Sequence, residues 1–203
     1  MPSSTKDRIV TASAELFRRQ GYTGTGIKAI VAAAEAPFGS LYHFFPGGKE
    51  QLGEAVIRWS GQAYGELIPA IFDPAPDVVT AVGDFFAGAA EHLLESDYSD
   101  ACPIATVALE VASSSELMRQ ATADVFAGWI GATADRFATA GLTPEISRAL
   151  AISLLAALEG AFILSRAARS TEPLELAGAT MTAAVRAALS TPPNQERRGT
   201  ARR

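Results

Sequence analysis

Apolar residues recur along the chain at spacings of three and four, the pattern of helices that bury one face. From Thr5 to Gln20, the residues Ile9, Ala12, Leu16 and Phe17 share a face. Thr5 is placed to cap the start and Gly21 to end that helix, with Arg18 and Arg19 at its negative pole. Thr25 is placed to cap a second, short helix over Gly26 to Ala34, with Ile27, Ile30 and Val31 inward. The chain breaks at Glu35-Ala36. Pro37 then opens a third helix, to Phe44, which Pro46-Gly47-Gly48 ends. One longer helix followed by two short ones around a tight turn predicts a helix-turn-helix unit.

Six more helices are predicted beyond it. One runs from Lys49 towards Ile68 or Phe72. Another covers Asp77 to Leu94, with Val78, Val82, Phe85, Phe86, Ala89 and Leu93 on its apolar side. A short one spans Pro103 to Ala112. Glu116 to Ala140 follows, capped by Ser114 or Ser115, and then Pro144 to about Arg169, capped by Thr143. The last runs from Glu172 or Pro173 to Leu189. The fold class expected is all-α, with about nine helices. Residues 1–48 are expected to form the helix-turn-helix domain, 49–190 a second helical domain, and 191–203 a disordered tail.

Composition narrows the class. The chain has 203 residues, 48% of them hydrophobic and 19% charged, enough to build a core. A single cysteine, Cys102, forms no internal disulfide and suits a reducing compartment. The N-terminus has no apolar leader, and the apolar stretch 149–164 is interrupted by Ser153 and Glu159, so it reads as too short and polar to span a bilayer. A cytoplasmic location is expected. The net charge of −5 argues by itself against nucleic acid, but it is unevenly spread. Residues 1–58 hold 7 basic and 5 acidic residues, while 59–193 hold 6 and 16. Such asymmetry fits a nucleic-acid-facing end on an acidic body.

The stretch PFGSLYHFFPGGKE, residues 37–50, carries the clearest chemistry. Leu41, Phe44 and Phe45 anchor a short helix inward. Pro37, Phe38, Gly39, Ser40, Tyr42 and His43 are left on or near its outer side. Small residues let backbone approach phosphate, and Tyr and His donate to phosphate or base edges. Lys49 at the next helix start, and Thr25 and Lys28 at the second helix, are placed to hold the DNA backbone. In the body, Trp59, Phe86, His92, Ile104, Val107, Phe126, Trp129, Leu155, Leu158 and Phe162 are candidates to line a mostly apolar ligand cavity. Cys102 reads as a small buried hydrophobe, since no basic neighbour is apparent. The final two helices, 144–169 and 172–189, are rich in alanine, which fits either internal packing or a dimer seam.

Taken with Leu16-Phe17, Gly21-Tyr22, Thr25 and Lys49-Glu50, the run Gly39-Ser-Leu-Tyr-His-Phe-Phe45 resembles the TetR family of bacterial transcriptional repressors. Phe45 to Leu52 and Cys102-Pro103-Ile104 are similar to its LmrA/YxaF subgroup. The resemblance implies a homodimer, a double-stranded DNA operator, a ligand-binding C-terminal domain, and release from DNA by a small-molecule inducer. Two positions depart from the pattern. Glu35 stands where family members have glycine, and Phe38 where lysine is frequent. The lost lysine removes a phosphate contact, or Phe38 gives an apolar contact to a thymine methyl.

Three functions remain to be weighed. The first is a ligand-responsive regulator. The second is a small-molecule binding protein of the same fold that has lost DNA binding. The third is a helical enzyme, for which no catalytic constellation is evident. Gly24-Thr-Gly26 lacks a preceding strand, Gly47-Gly48-Lys49 lacks the P-loop spacing, and one Cys with two His make no zinc set. No cofactor and no metal are expected.

Overall fold

A computed structural model describes residues 4–99 and 102–191. The expected tail, 191–203, lies outside them but for Thr191. Ten helices and no strand occur among the described residues: α1 (Thr5–Gly24), α2 (Ile27–Ala33), α3 (Phe38–Phe44), α4 (Gly48–Gly65), α5 (Leu67–Phe72), α6 (Val78–Glu95), α7 (Pro103–Val111), α8 (Glu116–Thr139), α9 (Pro144–Ala168) and α10 (Glu172–Ser190). The expected helix from Lys49 to Phe72 is divided at Glu66. Pro69 has no N–H to give, and its ring would crowd the Gly65 carbonyl, so α4 stops there and α5 restarts.

The caps also refine the sequence reading. Ser4, not Thr5, opens α1. Its hydroxyl accepts from Asp7 N at 3.1 Å and its own N–H donates to Asp7 Oδ2 at 3.1 Å. Ser4 has an acid three residues on and Thr5 has Arg8, so only Ser4 forms a capping box. α1 kinks at Gly21, where φ is +76°, and continues to Gly24. Gly26, not Thr25, precedes α2. Ser115 and Thr143 cap α8 and α9 as expected.

Two hydrophobic cores hold the helices together. The first joins Ile9, Phe17, Ile30, Leu41, Phe45, Leu52 and Ile57 to Ile104, Val107, Val111 and Met118. It is therefore shared between α1–α4 and α7–α8. The second joins Ile68, Phe72, Val82, Phe86 and Leu93 to Phe137, Leu154, Leu158, Leu174 and Val185, from α5, α6 and α8–α10. Trp129 packs against both. The cut between the cores thus differs from the cut at 48/49 along the chain. α9 as a whole is long and apolar enough to cross a membrane by length and composition alone, which the stretch 149–164 did not suggest. Only 28% of its most apolar window is buried within the chain.

Candidate nucleic-acid face and ligand cavity

α3 displays an apolar inner side and an open outer one. Leu41 and Phe45 are buried against α1, and that fixes the helix. Phe38 and Tyr42 are 51% and 47% exposed, with ring centroids 6.1 Å apart. Pro37, Gly39 and His43 are exposed beside them, and Ser40 is half-buried. A Cβ at Gly39 would meet nothing within 4 Å, so packing does not require glycine there. The bare backbone instead leaves room for something outside the chain. Lys28 is exposed on α2. The turn before α3 contains Glu35 at φ +49°, in the left-handed region that glycine adopts without strain. Arg8 braces that turn, its Nε donating to Ala34 O at 3.0 Å.

Two residues expected on this face serve the interior instead. Thr25 is fully buried, and its hydroxyl donates to the Gly21 carbonyl at 2.7 Å. Lys49 is half-buried, with Nζ 4.3 Å from the Tyr22 ring centroid and donating to Tyr22 O at 2.6 Å. Burial draws the Lys49 pKa below its ordinary value, opposed by the Glu110 carboxylate. Glu110, at the end of α7, accepts from the N–H groups of Tyr22 (3.0 Å) and Thr23 (2.7 Å). Burial would raise the Glu110 pKa, but these N–H groups and Lys49 outweigh it and the net shift is downward. A methyl group on Gly21 would overlap that carboxylate. On the same side of the body, Ser115 donates to Glu50 at 2.5 Å. Thus α7 and the start of α8 grip the helix-turn-helix unit directly.

A cavity of about 480 Å³ opens in the body between α4, α5, α6, α8 and α9. Of the expected lining residues, His92, Trp129, Leu155, Leu158 and Phe162 border it. The other five do not. Trp59 points outward, 46% exposed on α4. Phe86 is packed on Gly178 in the second core, where an added methyl would overlap its Cβ. Ile104 and Val107 are buried in the first core, and Phe126 stacks edge-on against Trp129 beside it. The cavity's remaining wall includes Tyr64, Leu67, Ile71, Phe85, Cys102, Ile130, Thr133 and Glu159, none of which the sequence singled out for this role.

Two of those residues meet each other. The Cys102 thiol and the Glu159 carboxylate lie side by side in this wall, close enough for each to shift the other's titration. Burial, and then the Glu159 charge, push the thiol pKa well up, so Cys102 is held as a neutral thiol. Burial also raises the Glu159 pKa, opposed by the neighbouring thiol. Cys102 Sγ additionally caps α7, accepting from Ala105 N at 3.5 Å. Trp129 Nε1 donates to Gly61 O at 2.9 Å, so its donor is engaged away from the cavity. Among the described residues no three His, Cys, Asp or Glu side chains converge as a metal set.

An exposed helix-turn-helix face is thus joined to a helical body that holds an apolar cavity. Residues 9–56 match the model for bacterial regulatory proteins of the tetR family, and residues 78–180 match the C-terminal domain of LmrA/YxaF-like transcriptional regulators. The chain belongs to the TetR family, in its LmrA/YxaF-like group. The uncharacterised regulator YxaF of Bacillus subtilis is 32% identical, over 84% of this chain and 90% of its own. The transcriptional repressor DhaR of a Mycobacterium species is 24% identical, over 84% and 86%. The crystal structure of a TetR regulatory protein from Rhodobacter sphaeroides superposes with a TM-score of 0.79, covering 90% of this chain and 99% of its own at 24% identity.

Proposed function

We propose that this regulator is a cytoplasmic repressor, released from a pseudo-palindromic operator when a small apolar or aromatic ligand enters the cavity. One observation carries the reading: α7 has one end in the cavity wall and the other on the DNA-binding unit. Cys102, at its start, borders the cavity, and Glu110, near its end, holds Tyr22 and Thr23. A ligand that displaces α7 therefore moves the helix-turn-helix unit. The ligand's leverage equals its difference in affinity for the two positions. A relative named as a repressor supports that sign of regulation.

In this reading residues 1–48 meet DNA, and Lys28, Pro37, Phe38, Gly39, Ser40, Tyr42 and His43 form the contact face. Residues 49–190 bind ligand and dimerise. The dimer forms through 144–169 and 172–189, supported by exposed Ile152, Ile163, Leu164 and Leu176 on α9 and α10. Alanine and glycine beside them, including Ala156, Gly160 and Ala177, line a shallow depression that suits close helix approach. Two such protomers place their α3 helices in major grooves roughly 34–36 Å apart.

The test is selection of bound fragments from sheared genomic DNA at about 0.15 M salt, where specific binding outlasts nonspecific attraction. Enrichment of one pseudo-palindromic site is expected. On that site Lys28→Met lowers the salt slope by about one per protomer, whereas Lys49→Met leaves it unchanged. Absence of enrichment, from protein refolded to strip bound ligand, would overturn the repressor in favour of a binding protein that no longer reads DNA. Glu35, an acid in the turn beside the contact face, is the observation that favours that second reading.

A further inference from the structure

The polar groups of the cavity are few and unevenly placed. Glu159 on α9 joins a mostly apolar lining, with Leu155, Leu158, Phe162, Ile71 and Phe85, that also includes Tyr64, His92 and Thr133. Its partner there is the Cys102 thiol, a weak and uncharged donor. Among the described residues no lysine or arginine lines the cavity, and His92 on α6 is its one histidine. A carboxylate in apolar surroundings without a cation is expensive to keep ionised, and removing one from water is repaid only by a well-placed opposite charge. Among the described residues, neither lysine nor arginine supplies one at this wall.

Resting on the reading of this cavity as the ligand site, we propose that it takes a lipophilic organic cation: an aromatic or branched apolar body bearing an ammonium group that donates to Glu159. The apolar body lies among Leu67, Ile71, Phe85, Ile130 and Phe162. The ammonium supplies the charge that the wall lacks and replaces the Cys102 thiol as donor. A neutral alcohol gives one hydrogen bond but leaves the charge uncompensated, and a carboxylate ligand meets a like charge. A volume of about 480 Å³ falls in the range that encloses ligands of drug size. Capture of Glu159 also releases the thiol that caps α7, the helix whose far end holds the DNA-binding unit.

The probes are three molecules of one shape: 2-naphthylmethylammonium, 2-naphthylmethanol and 2-naphthoate. Each is titrated into the full chain at about pH 7.5, where the first is a cation and the last an anion. The ammonium is expected to bind at least about tenfold more tightly than the alcohol, with naphthoate weakest. Glu159→Gln brings the ammonium down to the affinity of the alcohol. Leu155→Trp, which fills the cavity, abolishes binding of both, and Ala89→Phe does so from the α6 wall should the first variant not fold. An ammonium advantage that survives Glu159→Gln overturns the proposal. An alcohol that binds as tightly as the ammonium, both being lost in the filled variants, also overturns it while leaving the ligand cavity standing. Binding that survives cavity filling overturns the cavity reading and the proposal together.

Discussion

In the first core, three buried hydroxyls have partners at short range. Ser13 donates to Ile9 O at 2.7 Å, Thr25 to Gly21 O at 2.7 Å, and Thr122 to Met118 O at 2.9 Å. Along α9, which walls the second core, the buried Ser147 and Ser165 hydroxyls have none, and Glu159 has a thiol where a carboxylate wants a cation. The cavity borders the second core for the most part, with Cys102 the buried residue of the first core in its wall. The contrast matches the division of labour. A unit that must present α3 in one orientation has to be rigid, and satisfied polar groups confer that. A body proposed to admit a ligand needs space for it.

Truncation in the two cores is the strongest way to break this contrast. Leu52 is fully buried in the first, so Leu52→Ala is expected to cost about 3–4 kcal/mol, as transfer and cavity terms add. Leu155 already borders empty space, so Leu155→Ala is expected to cost about 1 kcal/mol. Denaturant midpoints measure both. Equal losses would mean that the second core is as tightly packed as the first. The next effect sits at the junction. Glu110→Ala strips the carboxylate from the Tyr22 and Thr23 N–H groups and costs about 1–2 kcal/mol, since charge-assisted bonds are lost but water reaches Thr23. Hydrogen exchange at those two amides is expected to speed up by about tenfold. Unchanged exchange would show that α7 does not hold the unit. Smaller again, Glu35→Gly relieves a left-handed residue and is expected to add up to about 1 kcal/mol. It also removes an acid beside Phe38 and His43, so operator affinity rises. A loss of stability would mean that the Arg8 brace needs the glutamate side chain.

Much of this was legible in the sequence, and the misses share a cause. Periodicity located the helices because it reports which face is buried. It does not report whether that face meets another side chain or a void. Phe85 and Phe86 are neighbours on α6, and the sequence pointed to Phe86 for the cavity. In the fold Phe86 closes on Gly178 while Phe85 borders the space. On α4, Trp59 drew notice by size, but Tyr64 has the angle that faces the cavity. Thr25 and Lys49 have the residue types of phosphate contacts, and only their partners, Gly21 O and Tyr22 O, reveal them as internal braces. One signal counted only against a membrane span: Glu159 is a lone acid in the apolar run 149–164. A charge placed among alanine and leucine on a core helix needs a reason, and the cavity provides it.

That same residue gives the smallest and most directional prediction. The Glu159 carboxyl sits above its ordinary pKa in the folded chain because burial penalises its charged form. The folded state therefore holds the proton better than the unfolded one does. By linkage, its contribution to stability is fully present below the ordinary carboxylate range and is lost as pH rises through the raised value. Glu159→Gln keeps the shape and removes the titration. The variant and the parent should melt alike in mild acid, and the variant should melt higher at neutral pH, by a few degrees at most for a chain this size. The paired acids of the first region run the opposite way. Glu110 is held below its ordinary pKa, so Glu110→Gln should cost stability at neutral pH and little in acid. Opposite pH slopes for the two substitutions would separate a carboxylate that the fold has satisfied from one that awaits a cation. Parallel slopes would place Glu159 beside a compensating charge, leaving an incoming ammonium nothing to neutralise.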